Sequence, residues 1–152
     1  MNLKEQIEQD IKTAMLAKDH SQLLALRAIK SAILLAETEK GAHGSLSKET
    51  ELQLLMKAVK QRRDSAEIFE QQGRSDLAEK ERNEIEIINK YLPQQMSEED
   101  IRIEVQKILT EVNASDPKDM GRVMGVASKR LAGKTDGKTL STIVRQLLTT
   151  RE

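Results

Sequence analysis

Glycine-flanked lysines mark the stretch of this chain best suited to chemistry. In Gly133-Lys134-Thr135-Asp136-Gly137-Lys138, two lysines and two glycines surround an aspartate that can open a helix. A helix N-terminus presents unpaired N–H groups and a partial positive charge. Glycine lets an anion approach such a backbone, so the chemistry on offer is phosphate binding. The same residues also read as a C-cap at Gly133, an N-cap at Asp136 and two solvated lysines. The phosphate-loop spacing of nucleotide-binding proteins is absent.

The residues before the turn add cations. Met120, Val123, Met124, Ala127 and Leu131 repeat at the spacing of one buried helical face. Arg122 and Lys129, seven apart, share the opposite face with Lys118, while Arg130 and Lys134 lead into the turn. Lys138 and Arg145 are again seven apart. The expectation is that Arg130, Lys134, Lys138 and Arg145 converge on one concave spot at the turn. Gly121 and Gly125 lie inside the helical pattern, where glycine costs about 1 kcal/mol relative to alanine. Either another backbone or a ligand approaches there, and close helix–helix packing is the favoured reason.

Other chemistries lack their residues. The chain has no cysteine, which excludes thiolate nucleophiles and thiolate metal sites. His20 and His43 have no partners at metal-ligand or acid–base spacing, so no catalytic residue, metal or cofactor is expected. Lys57, Lys60, Arg62 and Arg63 form a second basic cluster. Lys60/Asp64 and Arg63/Glu67 are four apart, however, as are Asp76/Lys80 and Glu86/Lys90, so a self-neutralised helix face is expected.

The elements that position these residues read as helices throughout. Asn2 and Glu5 form a capping box before Leu3, Ile7, Ile11, Ala14 and Met15. Asp19 or Ser21 opens a helix with Leu23, Leu26, Ile29, Ile33 and Ala36 inward, and Gly41–Ser47 reads as a loop. Ser47 caps a long helix carrying Leu52, Leu55, Val59, Arg62, Ala66 and Phe69, ending at Gly73. Ser75 opens a fourth helix with Leu77, Ile85, Ile88 and Leu92, stopped by Pro93. Ser97 with Asp100 caps a fifth, bearing Ile101, Val105, Ile108 and Val112. Asp116 with Pro117 starts the sixth, and Asp136 starts a short seventh with Leu140, Val144 and Leu147. No segment alternates at period two. The fold class is all-α, with a helical subdomain over 1–95 and a three-helix subdomain over 96–152.

With 152 residues, 38% hydrophobic and only 1% aromatic, the core must be aliphatic. Formal net charge is zero, yet residues 97–116 hold six acidic against two basic residues. Residues 118–151 hold eight basic against two acidic, so any polyanion site is local. The N-terminus has no apolar secretory core, and the longest plain apolar run, Ala32–Ala36, is too short to span a bilayer. A cytoplasmic protein without a membrane partner is expected.

Four stretches resemble the GatB/YqeY family. They are Met120-Gly121-Arg122-Val123-Met124-Gly125, the Gly133–Gly137 turn, KQRRDS within Lys57–Ser65 and YLPQQMSEED at Tyr91–Asp100. The chain departs from the family pattern at Thr135, usually alanine, and at Arg130, usually lysine. Lys129 is an extra basic residue rather than a pattern match.

The resemblance implies a bacterial-type protein of two helical subdomains. It implies kinship with the tail of the B subunit of the tRNA-dependent amidotransferase, which contacts tRNA while other domains do the chemistry. It carries a label of carbon–nitrogen ligase with glutamine as amido donor, for which this chain supplies no active site. The expected function is a non-catalytic adaptor for tRNA or another structured RNA, with an aminoacyl-tRNA synthetase or the amidotransferase as further partners. The nucleic-acid contacts are assigned to Arg122, Lys129, Arg130, Gly133, Lys134, Gly137, Lys138 and Arg145. The alternative is a helical protein–protein adaptor in which Met120, Met124 and the glycines receive a partner helix.

Overall fold

The computed structural model describes residues 1–39 and 45–150, for Thr150 the backbone only. Most of the expected Gly41–Ser47 loop, with His43, and the cation Arg151 lie outside the described residues. Among the described residues the fold is all-α, without strands. The helices are α1 (Leu3–Leu16), α2 (His20–Glu39), α3 (Lys48–Gln71), α4 (Ser75–Asn89), α5 (Glu98–Glu111), α6 (Met120–Arg130) and α7 (Gly137–Thr150). None of them is long and apolar enough to cross a membrane. The chain divides into two compact units, Met1–Leu92 and Pro93–Glu152.

Local capping sets the helix ends. The reciprocal box of Asn2 and Glu5 starts α1, and Asp19 starts α2 by accepting the Gln22 N–H at 3.2 Å. Ser47 and Ser97 accept from the backbone N–H three residues on, each at 3.1 Å, to start α3 and α5. Gly73 takes φ +73° after α3, where a side chain would be strained. Asp116 caps a 3₁₀ turn, Pro117–Asp119, and α6 begins only at Met120, later than the expected start at Pro117. Ser75 opens α4 as expected, with Arg74 in the cap position and no side-chain cap bond.

The first unit packs α1 along α2 and α3 along α4, with α2 also against α4. Its core joins Leu3, Ile7, Leu26, Ile29, Ile33, Leu55, Val59 and Ile88. The Tyr91 hydroxyl donates to the Asp10 carboxylate, and burial followed by that neighbour raises the tyrosine pKa. Met15 and Asp76 depart from expectation here. Met15 is 54% exposed, because Ala14 fills the packed side at the end of α1. Asp76 pairs with Arg74 rather than with Lys80, since Arg74 donates Nε at 3.2 Å and one terminal nitrogen at 3.1 Å to its two oxygens.

Arg62 belongs to the interior of the α3–α4 pair, not to a solvated face. It donates to the Ala58 carbonyl at 3.0 Å, and its Nε lies 3.6 Å from Glu84, with the two side chains 16% and 19% exposed. That distance leaves Nε buried without a hydrogen-bond partner.

The second unit buries Ile101, Val105, Ile108 and Leu109 of α5 with Val123 and Ala127 of α6, and Leu140, Ile143, Val144 and Leu148 of α7. Leu148, rather than the expected Leu147, completes the Leu140–Val144 row, and Leu147 packs at its edge.

Half-buried charge pairs are costly to break from one side. Arg62→Ala, which strands Glu84, should destabilise the protein by about 1–3 kcal/mol in urea denaturation. Arg62→Met combined with Glu84→Leu should recover most of that loss.

Candidate nucleic-acid interface

The face of α6 opposite its buried Val123 and Ala127 carries Gly121, Arg122, Gly125 and Lys129, all exposed. Helix–helix packing on the two glycines is not what occurs. A Cβ added at Gly121 or Gly125 would meet nothing within 4 Å. Between the cations the bare backbone forms the floor of an open groove of about 660 Å³, lined by Gly121, Arg122, Gly125, Val126, Lys129 and Arg130. The glycines therefore carry their helix-propensity cost without a packing reason inside the fold.

Carboxylates already hold two of the three cations. Arg122 donates to Asp119 Oδ1 at 3.0 Å, and Asp119 Oδ2 accepts the Ser115 N–H at 3.2 Å. The Ser115 hydrogen bond, with Arg122 a smaller cause, holds Asp119 below the usual carboxylate range. Arg130 grips Glu111 with both terminal nitrogens, at 3.0 and 2.7 Å. That fork lowers the Glu111 pKa and raises that of Arg130. Lys129 has no ion-pair partner among the described residues. With Arg130 it occupies the last turn of α6, where the helix dipole favours positive charge.

The turn itself is committed to the fold on one side and open on the other. Gly133 takes φ +77° and is buried, and its carbonyl accepts from Gln95 Nε2 at 2.7 Å. The Lys134 carbonyl accepts from the Met96 N–H at 3.0 Å. Gly133, assigned as a contact, is a buried residue of the turn with its carbonyl committed to Gln95. Asp136 accepts the Thr139 N–H at 3.0 Å and caps α7. The Thr135 hydroxyl donates to the Asp136 carbonyl at 3.4 Å.

Gly137, the first residue of α7, is exposed with open space around it. Lys134, Lys138 and Arg145 are exposed and, among the described residues, have no ion-pair partner. They lie outside the groove lining, so the groove gathers Arg122, Lys129 and Arg130 and not the four charges expected at the turn. The sequence reading missed Glu111, Asp119 and Val126. The i,i+3 spacing of Asp119 and Arg122 was a usable signal, whereas Glu111 lies 19 residues from Arg130. No group of three His, Cys, Asp or Glu residues is placed to hold a metal among the described residues.

Comparison with known proteins places this geometry in context. The family described as Yqey-like protein matches residues 4–148. Altered inheritance of mitochondria protein 41, mitochondrial, from Clavispora lusitaniae is 42% identical over 70% of this chain and 62% of its own length. Proteins of the same name from Kluyveromyces lactis and Lachancea thermotolerans are 35% and 40% identical, over 88% and 73% of this chain. The chain spans 69% and 60% of those two relatives. These names overturn the expectation of a cytoplasmic, bacterial-type protein, since the relatives are mitochondrial proteins of yeasts.

The open floor yields a stability test. Gly121→Ala and Gly125→Ala should each stabilise the protein by up to about 1 kcal/mol, measured as a rise in Tm, because helix propensity improves and nothing is crowded.

Proposed function

The chain belongs to the Yqey-like protein family, and from that premise we propose that its second unit is a non-catalytic module that binds tRNA or a similar structured RNA. The observation that carries this reading is the α6 groove. Its two glycines have no role in packing, and cations stand along its walls. A sugar–phosphate strand needs that combination: close approach to a backbone and positive charge beside it. Lys134, Lys138 and Arg145 extend the cationic surface through the turn and along α7. No Phe, Tyr or Trp follows Tyr91, so bases have no aromatic platform in this unit. Recognition then works through phosphates, 2′-hydroxyls and shape, as for folded RNA.

The likeness of Met120–Gly125 and Gly133–Gly137 to the GatB/YqeY family, and the kinship with the amidotransferase tail that it implies, support the same partner and make that enzyme or a synthetase the natural co-partner. The relatives' names point to mitochondria. The reading itself requires only a compartment that holds structured RNA. Amide transfer is not part of it, and the purified chain should leave misacylated tRNA unchanged with glutamine or ammonia.

A second reading follows from Val126, which with the glycines gives the groove an apolar floor suited to a partner helix. Salt separates the two, because phosphate contacts weaken steeply with salt and an apolar groove does not.

Binding of total tRNA should fall with a log–log salt slope of about −2 to −4, as for roughly 3–5 phosphates. Lys129→Ala, Lys134→Ala and Lys138→Ala together should flatten it by roughly 2 and weaken different tRNAs alike. The double variant Gly121→Ala/Gly125→Ala should bind tRNA more weakly despite its higher Tm. Parent-like affinity and slope in both variants would put the partner helix ahead.

A further inference from the structure

We infer that Glu111 is a built-in competitor for the groove, holding the Arg130 guanidinium until a polyanion displaces it. This rests on the RNA reading of the α6 groove and specifies how its occupancy is controlled. Arg130 lines the groove, and its fork is filled by the two Glu111 oxygens at 3.0 and 2.7 Å. A guanidinium fork fits a phosphate as well as a carboxylate, so the two anions compete for the same nitrogens.

Three features single out this pair. Glu111 accepts from no other donor among the described residues, so its carboxylate can swing away without breaking another bond. Asp119, by contrast, is tied to the Ser115 N–H and stays beside Arg122. Both members of the Glu111–Arg130 pair are exposed, at 51% and 40%, and exposed pairs contribute little to stability, so exchange leaves the fold intact. Lys129, adjacent and unpaired among the described residues, makes the first contact, and Arg130 changes partner afterwards. A ligand offering one phosphate gains little from evicting Glu111. One that already touches Lys129 delivers its next phosphate at high local concentration. The pair thereby selects polyanions over free nucleotides.

The test uses the full chain, total tRNA as probe and two salt concentrations. Glu111→Gln should tighten binding by about 2–5-fold at low salt while leaving the salt slope nearly unchanged, because Arg130 reaches its phosphate in both proteins. In an Arg130→Ala background the same change should have no effect, which assigns the gain to Arg130. Glu104→Gln removes an equal charge from α5, where Glu104 pairs with Lys107 at 3.2 Å, and should tighten binding less. If Arg130→Ala weakens binding but Glu111→Gln does not tighten it, the competitor role is wrong and the groove reading stands. Tightening that survives in the Arg130→Ala background, or that Glu104→Gln matches, reduces Glu111 to bulk charge and also overturns the role. If Arg130→Ala leaves tRNA binding unchanged, both the groove reading and the competitor fall.

Discussion

The site depends on the burial of one narrow aliphatic face. Val123, Ala127 and Leu131 are the residues through which α6 and its C-terminus enter the core of the second unit, against α5 and α7. That unit has no aromatic ring to dominate its packing. The rotation of α6 about its own axis is therefore set by three modest side chains. Everything on the opposite face follows from it, including the bare glycines and the flanking Arg122 and Lys129. A one-residue change in the phase of this stripe would turn the glycines by about 100° and dismantle the groove.

A second constraint holds the end of α6. The segment leading into α5 donates to the turn that follows α6, Gln95 to the Gly133 carbonyl and the Met96 N–H to the Lys134 carbonyl. With Gly133 at φ +77°, these bonds satisfy two carbonyls of the turn itself, beyond the last residue of α6. They also fix the direction in which Lys134 leaves the turn and α7 begins.

What the sequence made legible was local. The caps by Asn2, Ser47, Ser97 and Asp136, and the stop at Gly73, each involve residues within a few positions of one another. Their chemistry is therefore written in short spacings. The family and the all-α class were legible for the same reason, as motifs and period. The pairs that define the environment of the cations were not. Glu111 meets Arg130, and Arg62 meets Glu84, across helices whose relative rotation no spacing reports. The phase of α6 was readable, because Met120, Val123, Ala127 and Leu131 marked its inner side. Whether anything packed on the outer side was not, so Gly121 and Gly125 were assigned to helix packing when they face open space.

Arginine and lysine divide the work on this surface according to their chemistry. Arg122 and Arg130 have planar forks that suit carboxylates, and each is held by one, so their positions are set by the fold. The lysines are point charges left without such partners among the described residues. Lys129 sits at the C-terminal end of α6, where its charge agrees with the dipole. Lys138 sits in the first turn of α7, beside the positive end of that helix, and the turn contains no acidic residue. Asp136 caps the backbone there, yet the lysine remains electrostatically opposed to its own helix. A fold selected for stability alone would place an acid at such a position. On the proposed RNA reading, an arriving phosphate would relieve that opposition, so the charge that disfavours the free protein would favour the complex, and the bare glycines of the α6 groove follow the same logic.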